Sequence, residues 1–379
     1  MKKIIFLIPI ILLFSCKTIK QVLKEDVQIK KGGVTKFEMI GNGIILTDDK
    51  IDNKSAEYPF LFDTGTTSTL ITDTTIIDNF SRRDFASFGS IKVPNDKKIK
   101  KKTVNIDFEN SLFKAKNLYV PIVNIDSISC ANSVFDGIIG VSQFNGGMTE
   151  KIDPSILEIN FDENKIKILP KDFDKAGFEI VNSVMKKINH FYILLEINGI
   201  KDYYLFDTGN GGNIIVNSKI VKLDNLSPSS EREGINHFTA AGLDKISIKK
   251  TYKNVDIFIG KEKGVSDVEI STSISNANVG MDFIRQFNWI LDWKNKKIYA
   301  QKRENYKRPE NKILQDYIVL DQKDKLLVLN KSVKATKYNV GDEIISVNGE
   351  KVTPENICEM QSMLNKTEEW NTLKLEIRK

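Results

Sequence analysis

Two stretches, Phe62-Asp63-Thr64-Gly65 and Phe206-Asp207-Thr208-Gly209, put residues capable of acid–base chemistry into the same frame twice. An apolar run leads into each carboxylate, Tyr58-Pro59-Phe60-Leu61-Phe62 in one case and Tyr203-Tyr204-Leu205-Phe206 in the other. An aliphatic run follows, Leu70-Ile71 and Ile214-Ile215-Val216. The pattern reads as strand, tight turn, strand, and the turn thrusts a carboxylate out of an apolar strand. The Gly lets backbone N–H groups come close to that carboxylate. A single copy is explained equally well by an Asp that caps an ordinary turn. Two copies inside a repeat favour chemistry, because one carboxylate in an apolar site cannot serve as base and acid in a single step. Two held close together share one proton, since both cannot ionise. The ionised one draws a proton from water, and the protonated one polarises the carbonyl under attack.

Other chemistries find less support. His190 and His237 are the only histidines, and neither sits at Cys–His or Glu–His spacing, so no metal site is expected. No Gly-x-Ser-x-Gly supports a serine nucleophile. Cys130 and Cys358 fall in separate expected domains and read as buried small apolar residues, not as a disulfide framework. The net charge of +6 is modest, with several lysines in the leader, and gives no reason to expect nucleic acid as a partner.

The carboxylates need a scaffold, and 379 residues provide for two or three domains of ordinary globular composition, 41% hydrophobic and 28% charged. Met1-Lys2-Lys3 followed by an apolar run from Ile4 to Phe14 has the form of a signal peptide, too short to span a bilayer. It ends in Leu13-Phe14-Ser15-Cys16, which resembles the lipobox of bacterial lipoproteins; the resemblance makes Cys16 the lipidated N-terminus of the mature chain. Residues 17–31 read as a polar tether. From 32 to 170 the chain reads as short β segments, among them 36–39, 43–47, 61–62, 103–108 and 118–123, with Asp48-Asp49 and Pro94-Asn95-Asp96 as turn separators. Residues 158–166 have the form of a hairpin around Asp162-Glu163-Asn164.

Residues 171–304 repeat this plan. Val279-Gly280-Met281 answers Ile139-Gly140-Val141, and residues 290–298 answer 159–166. Asp63 lies nearly as far before Gly140 as Asp207 lies before Gly280, so the duplication keeps its spacing.

The paired Asp-Thr-Gly turns, with Ile138-Ile139-Gly140 and Asn278-Val279-Gly280, resemble the pepsin/retropepsin superfamily of aspartic peptidases, in its bacterial lipoprotein branch with a PDZ domain. The resemblance implies a mainly β fold with two pseudo-symmetric lobes. It makes Asp63 and Asp207 the catalytic dyad. Thr64 and Thr208 would lock the turns to the opposite lobe, beside Gly65 and Gly209, and Thr66 would donate to Asp63. The second turn departs from the family by continuing Asn210-Gly211-Gly212, although Asn210 can still donate a bond. Flap candidates are the hairpin tips at Pro94-Asn95 and Ala240-Ala241-Gly242. The run Lys97-Lys98-Ile99-Lys100-Lys101-Lys102 reads as a solvated strand edge, with a basic flap that favours acidic substrates or anionic headgroups as the alternative.

After a polar linker near 305–311, residues 312–379 resemble a small PDZ-like α+β domain. Gly341-Asp342 leads into a strand at 343–347, Asn348-Gly349 makes a hairpin turn, a helix covers 354–364 and a last strand covers 372–377. PDZ domains capture a peptide at a sheet edge; the alternative here is a packing module that binds none. The expected protein is therefore a monomeric aspartic endopeptidase without cofactor, lipid-anchored in a bacterial cell envelope at the outer membrane, facing the periplasm or the cell surface, with a peptide or protein substrate. The rival reading is a peptide-binding envelope lipoprotein with weak or no catalysis.

Overall fold

Alternation sets the strands. In Val34–Ile40 the side chains of Thr35 and Phe37 turn inward between exposed neighbours, and His190–Ile197 buries every second residue from Phe191 onward. A sheet with one covered face requires this period of two. The computed structural model describes residues 24–378 except 56, 81–89, 93–97, 101, 124–129, 131–134, 147–151, 187–188, 217–218, 237, 240–241, 244–245, 274–276, 310–314 and 323. The protein is mainly β, 50% strand and 7% helix, and includes a six-strand barrel.

Each Asp turn sits in the same local weave. Gly137–Ile139 runs parallel to Tyr58–Phe62, with Ile139 opposite Phe62, and antiparallel to Leu70–Ile71. In the second half Asn278–Val279 runs parallel to Ile200–Phe206, with Val279 opposite Phe206, and antiparallel to Ile214–Val216. The strand after each weave closes over its turn: Val141 N–H donates to Thr66 O at 3.0 Å and Met281 N–H to Asn210 O at 2.8 Å. Glycine is required at the crossing, because a Cβ on Gly140 would lie 2.6–2.7 Å from the carbonyls of Thr66, Thr67 and Ser68.

A sheet shared by both halves holds the two weaves together. Its order is Val34–Ile40, Lys165–Ile168, Ile156–Asn160, Phe287–Asp292, Lys297–Lys302, Glu179–Val181. The halves meet where Ile156 faces Asp292 and Ile159 faces Trp289. Asn164 and Lys296, at φ 51° and 55°, turn the two hairpins that the repeat predicts. Trp289 is fully buried, its ring 4.8 Å from that of Phe206 and its Nε1–H bonded to Ile284 O at 2.7 Å. Truncation of such a side chain costs about 3–5 kcal/mol, so this sheet fixes the spacing of the two turns.

The C-terminal segment adds strands Tyr317–Asp321, Leu326–Ser332, Glu343–Val347, Glu350–Lys351 and Leu375–Arg378 with the helix Ile357–Leu364. Asn348 and Gly349, at φ 52° and 88°, form the expected hairpin turn. The segment has its own core around Tyr317, Ile357 and Trp370, yet it continues the second half's sheet, because Leu326–Ser332 pairs with Ser230–Gly234. At that seam the buried Arg232 donates to Asn330 Oδ1 at 2.7 Å and Gln315 O at 2.6 Å; burial pulls its pKa down to about 10. The linker is not slack either. Arg308 pairs with the buried carboxylates of Asp267 and Asp282, each at 2.7 Å.

Three expectations are corrected. Residues 26–29 are not tether but the strand Asp26–Ile29, paired with Phe113–Ile122, because Val27 and Ile29 pack on the core. Asp48-Asp49 is not a separator but lies within Gly43–Ile51, at a bulge against Tyr58–Phe62. There Asp48 accepts from Thr35 Oγ1 at 2.7 Å and Ser111 N at 2.8 Å, and Asp49 from Asn110 Nδ2 at 2.7 Å. Cys130 and Cys358 are not separate apolar residues but form a disulfide, Cα atoms 4.9 Å apart, across 228 residues of sequence. The C-terminal segment, joined to the second half's sheet through Leu326–Ser332, takes Cys130 of the first half against its own core, where Cys358 lies. The leader with Cys16 and the flap residues Pro94, Asn95, Ala240 and Ala241 lie outside the described residues. Around them the chain pairs as hairpins, Lys92 opposite Lys98 and Thr239 opposite Gly242.

Candidate active site

The two turns meet across the join between the halves. Phe62 and Phe206 are buried at the ends of their strands, so Asp63 and Asp207 each emerge from an apolar strand end. Thr64 N–H donates to Thr208 Oγ1 and Thr208 N–H to Thr64 Oγ1, both at 3.0 Å. The hydroxyls donate onward, Thr64 to Phe206 O at 2.8 Å and Thr208 to Phe62 O at 2.9 Å. Every hydroxyl in this buried crossing both accepts and donates, so neither threonine has rotamer freedom left.

The crossing presses the carboxylates together. A Cβ on Gly65 would collide with the Asp207 carboxylate, and one on Gly209 would collide with that of Asp63. The Gly of each turn is thus needed for the approach of the opposite Asp as well as for its own turn. Asp63 accepts from Gly65 N at 2.7 Å and Thr66 Oγ1 at 2.6 Å. Asp207 accepts from Gly209 N and Asn210 N, both at 3.1 Å, and from Asn278 Nδ2 at 3.2 Å. Burial pushes the Asp207 carboxyl well above the usual carboxylate range, and the charge of Asp63 and a hydrogen bond to it add to the effect. The N–H groups of Asn210 and Gly209 pull the other way and are outweighed.

The Asn210-Gly211-Gly212 turn is braced from both sides. Asn42 of the first half donates to Gly211 O at 2.6 Å and accepts from Arg285 Nη1 at 3.1 Å. Asn210 Oδ1 accepts from Gly212 N at 2.9 Å, while its Nδ2 donates to Asn213 O and Asn278 Oδ1, both at 3.0 Å.

Sequence reasoning missed three side chains here. His190 is buried beneath the first turn, with Nδ1 2.9 Å from Thr64 O and Nε2 2.9 Å from Thr67 Oγ1. A carbonyl only accepts, so Nδ1 carries a proton and the ring ties the second half to the first. Tyr192, half-buried on the same strand, has its phenol pushed up by burial and by the charge of Asp207. Asn278 reaches Asp207 from 71 positions away. Alternation of the strand beginning at His190 was the only sequence signal available for the first two. The Gly280 motif marked the backbone at 278 but not the side chain.

In the C-terminal segment, the outer edge of Tyr317–Asp321 is already bonded. Val319 N–H donates to Asn365 Oδ1 and Val319 O accepts from Asn365 Nδ2, both at 2.9 Å, and Asp321 N–H donates to Gln361 Oε1. A peptide adding to that edge must first displace side chains of the segment's own helix.

Among the described residues, no group of three or more His, Cys, Asp or Glu could hold a metal ion, and no helix is long and apolar enough to cross a membrane. No family model matches this chain, and a search of curated proteins finds no relative.

Proposed function

We propose that this chain is an aspartic endopeptidase of two β lobes, with Asp63 and Asp207 as its catalytic pair and a PDZ-like C-terminal domain. The observation that carries this reading is the convergence of the two carboxyls, each pressed against the glycine of the opposite turn and held by the Thr64–Thr208 crossing. The shared proton is assigned to Asp207, whose carboxyl burial raises, and Asp63 acts as the base. A water between them gives a proton to Asp63 as its oxygen bonds to the amide carbon, and Asp207 passes its proton to the carbonyl oxygen. The resulting gem-diol collapses: the C–N bond breaks, Asp63 protonates the leaving nitrogen, and Asp207 recovers its proton from a diol hydroxyl. Atoms and charge balance over the cycle, and no metal or organic cofactor enters it.

The hairpins at 90–100 and 238–243 are proposed as flaps over an extended peptide. The leader ending in Cys16 supports a lipid-anchored protein of the bacterial envelope, acting on peptide or protein substrates as a monomer.

Hydrolysis of an unfolded polypeptide by the full chain tests the reading. Cleavage should occur at acidic to neutral pH and be blocked by a peptide carrying a hydroxyl-bearing, non-hydrolysable isostere of the tetrahedral intermediate. Cleavage by Asp63→Asn protein at the wild-type rate would overturn it.

A further inference from the structure

The two carboxylates are supported unequally. In the first turn Thr66, three residues after Asp63, donates its hydroxyl to Asp63 Oδ2. The residue three after Asp207 is Asn210, and its side chain does not reach Asp207; it donates to Asn213 O and to Asn278 Oδ1. The bond to Asp207 Oδ2 comes instead from Asn278 Nδ2 at 3.2 Å. Asn278 is 6% exposed and fixed by its backbone, which lies opposite Leu205 on one side and Ile215 on the other. Its amide is oriented as well: Oδ1 accepts from Asn210, which leaves Nδ2 facing the carboxylate.

We propose that Asn278 is the positioning residue for Asp207, performing there the part that Thr66 performs for Asp63, and that Asn210 acts by holding Asn278 in place. This inference rests on the peptidase reading for its catalytic consequence but not for its effect on Asp207. The titratable groups facing Asp207 are Asp63 across the pair and Tyr192 on the neighbouring strand; Glu269, alongside Ile215, is engaged by Asn213 and Lys249. A donor to Oδ2 stabilises the ionised carboxylate. Its loss makes Asp207 hold its proton to higher pH and frees the carboxyl to rotate.

The test compares the full-length wild type with Asn278→Ala, Asn278→Leu and the double variant Asn278→Ala/Asn210→Thr. Asn278→Leu nearly keeps the size, removes the donor and adds no charge beside Asp207, so it covers the case in which the alanine variant does not fold. Thr at 210 offers a hydroxyl at the place corresponding to Thr66. The first readout is the carboxyl carbon resonance of Asp207, assigned by its loss in Asp207→Asn. It should titrate at higher pH in both single variants and return towards the wild-type position in the double variant. The second readout is hydrolysis of unfolded casein across pH. Here kcat should fall by about tenfold with KM unchanged, the alkaline limb should move up, and Asn210→Thr should restore most of the rate. An Asp207 titration identical in wild type and both single variants would overturn the inference. So would an upward shift that Asn210→Thr leaves untouched. Failure of the wild type to cleave any polypeptide, with the resonance shifting as expected, would sink the peptidase reading alone.

Discussion

Thr64 and Thr208 each donate a backbone N–H to the other's hydroxyl across the join between the halves, at 3.0 Å both ways. The two bonds are long-range in sequence, separated by 144 residues, and both are buried. They convert a duplicated sequence pattern into a fixed distance between two carboxyls. Replacing Thr64 with Val keeps the shape but leaves Thr208 N–H and Phe206 O without partners. Each buried group left unpaired costs about 1–3 kcal/mol. Thr64→Val and Thr208→Val should each lower the urea midpoint, while Thr64→Ser should stay close to wild type. The double valine variant should lose less than the two losses added, because one opened side already loosens the other. Equal midpoints for wild type and Thr64→Val would show that the crossing contributes nothing to stability.

Asp49 offers a test of pH-dependent stability away from the centre. It is fully buried at the bulge, and its Oδ2 has no hydrogen-bond partner among the described residues. Burial pushes its carboxyl well above its ordinary value of 3.8, with the charges of Asp48 and Glu57 adding and the Asn110 bond opposing. A raised acid binds its proton more tightly in the folded chain than in the unfolded one. Its favourable contribution is therefore complete below the ordinary carboxylate value and is lost as pH rises through the raised one. Asp49→Asn should melt higher than wild type at neutral pH, by about 2–4 °C for each 1 kcal/mol recovered. The difference should vanish as pH falls below the ordinary value. Calorimetry at a series of pH values reads it directly; a gain that grows towards acid would reverse the assignment.

The C-terminal segment is fastened to both halves, by the Cys130–Cys358 disulfide on one side and by the ladder between Ser230–Gly234 and Leu326–Ser332 on the other. Cys358→Ser should reduce stability by about 2–4 kcal/mol. It should raise amide exchange in Tyr317–Asp321 and Ile357–Leu364 while leaving Ile156–Asn160 protected. A chain ending after Arg308 keeps the ion pairs to Asp267 and Asp282. It should retain the strand pairings around Asp63 and Asp207 but expose the edge of Ser230–Gly234, with faster exchange confined to that edge. Global unfolding of the shortened chain would mean that the C-terminal segment is part of one cooperative core.

The legible parts of this molecule were those written as local patterns. The Asp-Thr-Gly turns, the glycines at 140 and 280, the hairpins near 164 and 296 and the Asn348-Gly349 turn each depend on neighbours a few residues away. Side chains that act across the fold leave no such trace. Asn278 and His190 are ordinary strand residues until register places them beside a turn. The disulfide depends on a sheet that links Ser230–Gly234 to Leu326–Ser332, and neither strand signals its partner in sequence. Asp48-Asp49 misleads because turn-forming composition also suits a bulge, where the carboxylates bond to Thr35 on the neighbouring strand and to the Asn110-Ser111 turn. Asp26–Ile29 is too short for its alternation to stand out from a polar stretch.

The dyad makes the sharpest prediction. Asp63 and Asp207 lie against each other's turns, and burial with the charge of Asp63 pushes the Asp207 carboxyl above the usual carboxylate range. If one takes a proton from water while the other gives one to the carbonyl, neither can replace the other. Asp63→Asn and Asp207→Asn should each reduce hydrolysis by several orders of magnitude, and the double variant should be little worse than either, because the pair acts as a unit. Wild-type activity should follow a bell. It falls towards acid as the second carboxyl takes up a proton and towards alkali as the shared proton leaves, and both limbs belong to the pair, not to one residue. Asp207→Asn should also be more thermostable than wild type at pH values above the ordinary carboxylate range, where the wild-type pair carries buried charge, and no more stable below it. Peptide cleavage across pH, with circular dichroism of each variant as the folding control, reads all three outcomes. A folded Asp207→Asn protein with full activity would make the second turn a structural copy of the first and remove the basis for the peptidase mechanism.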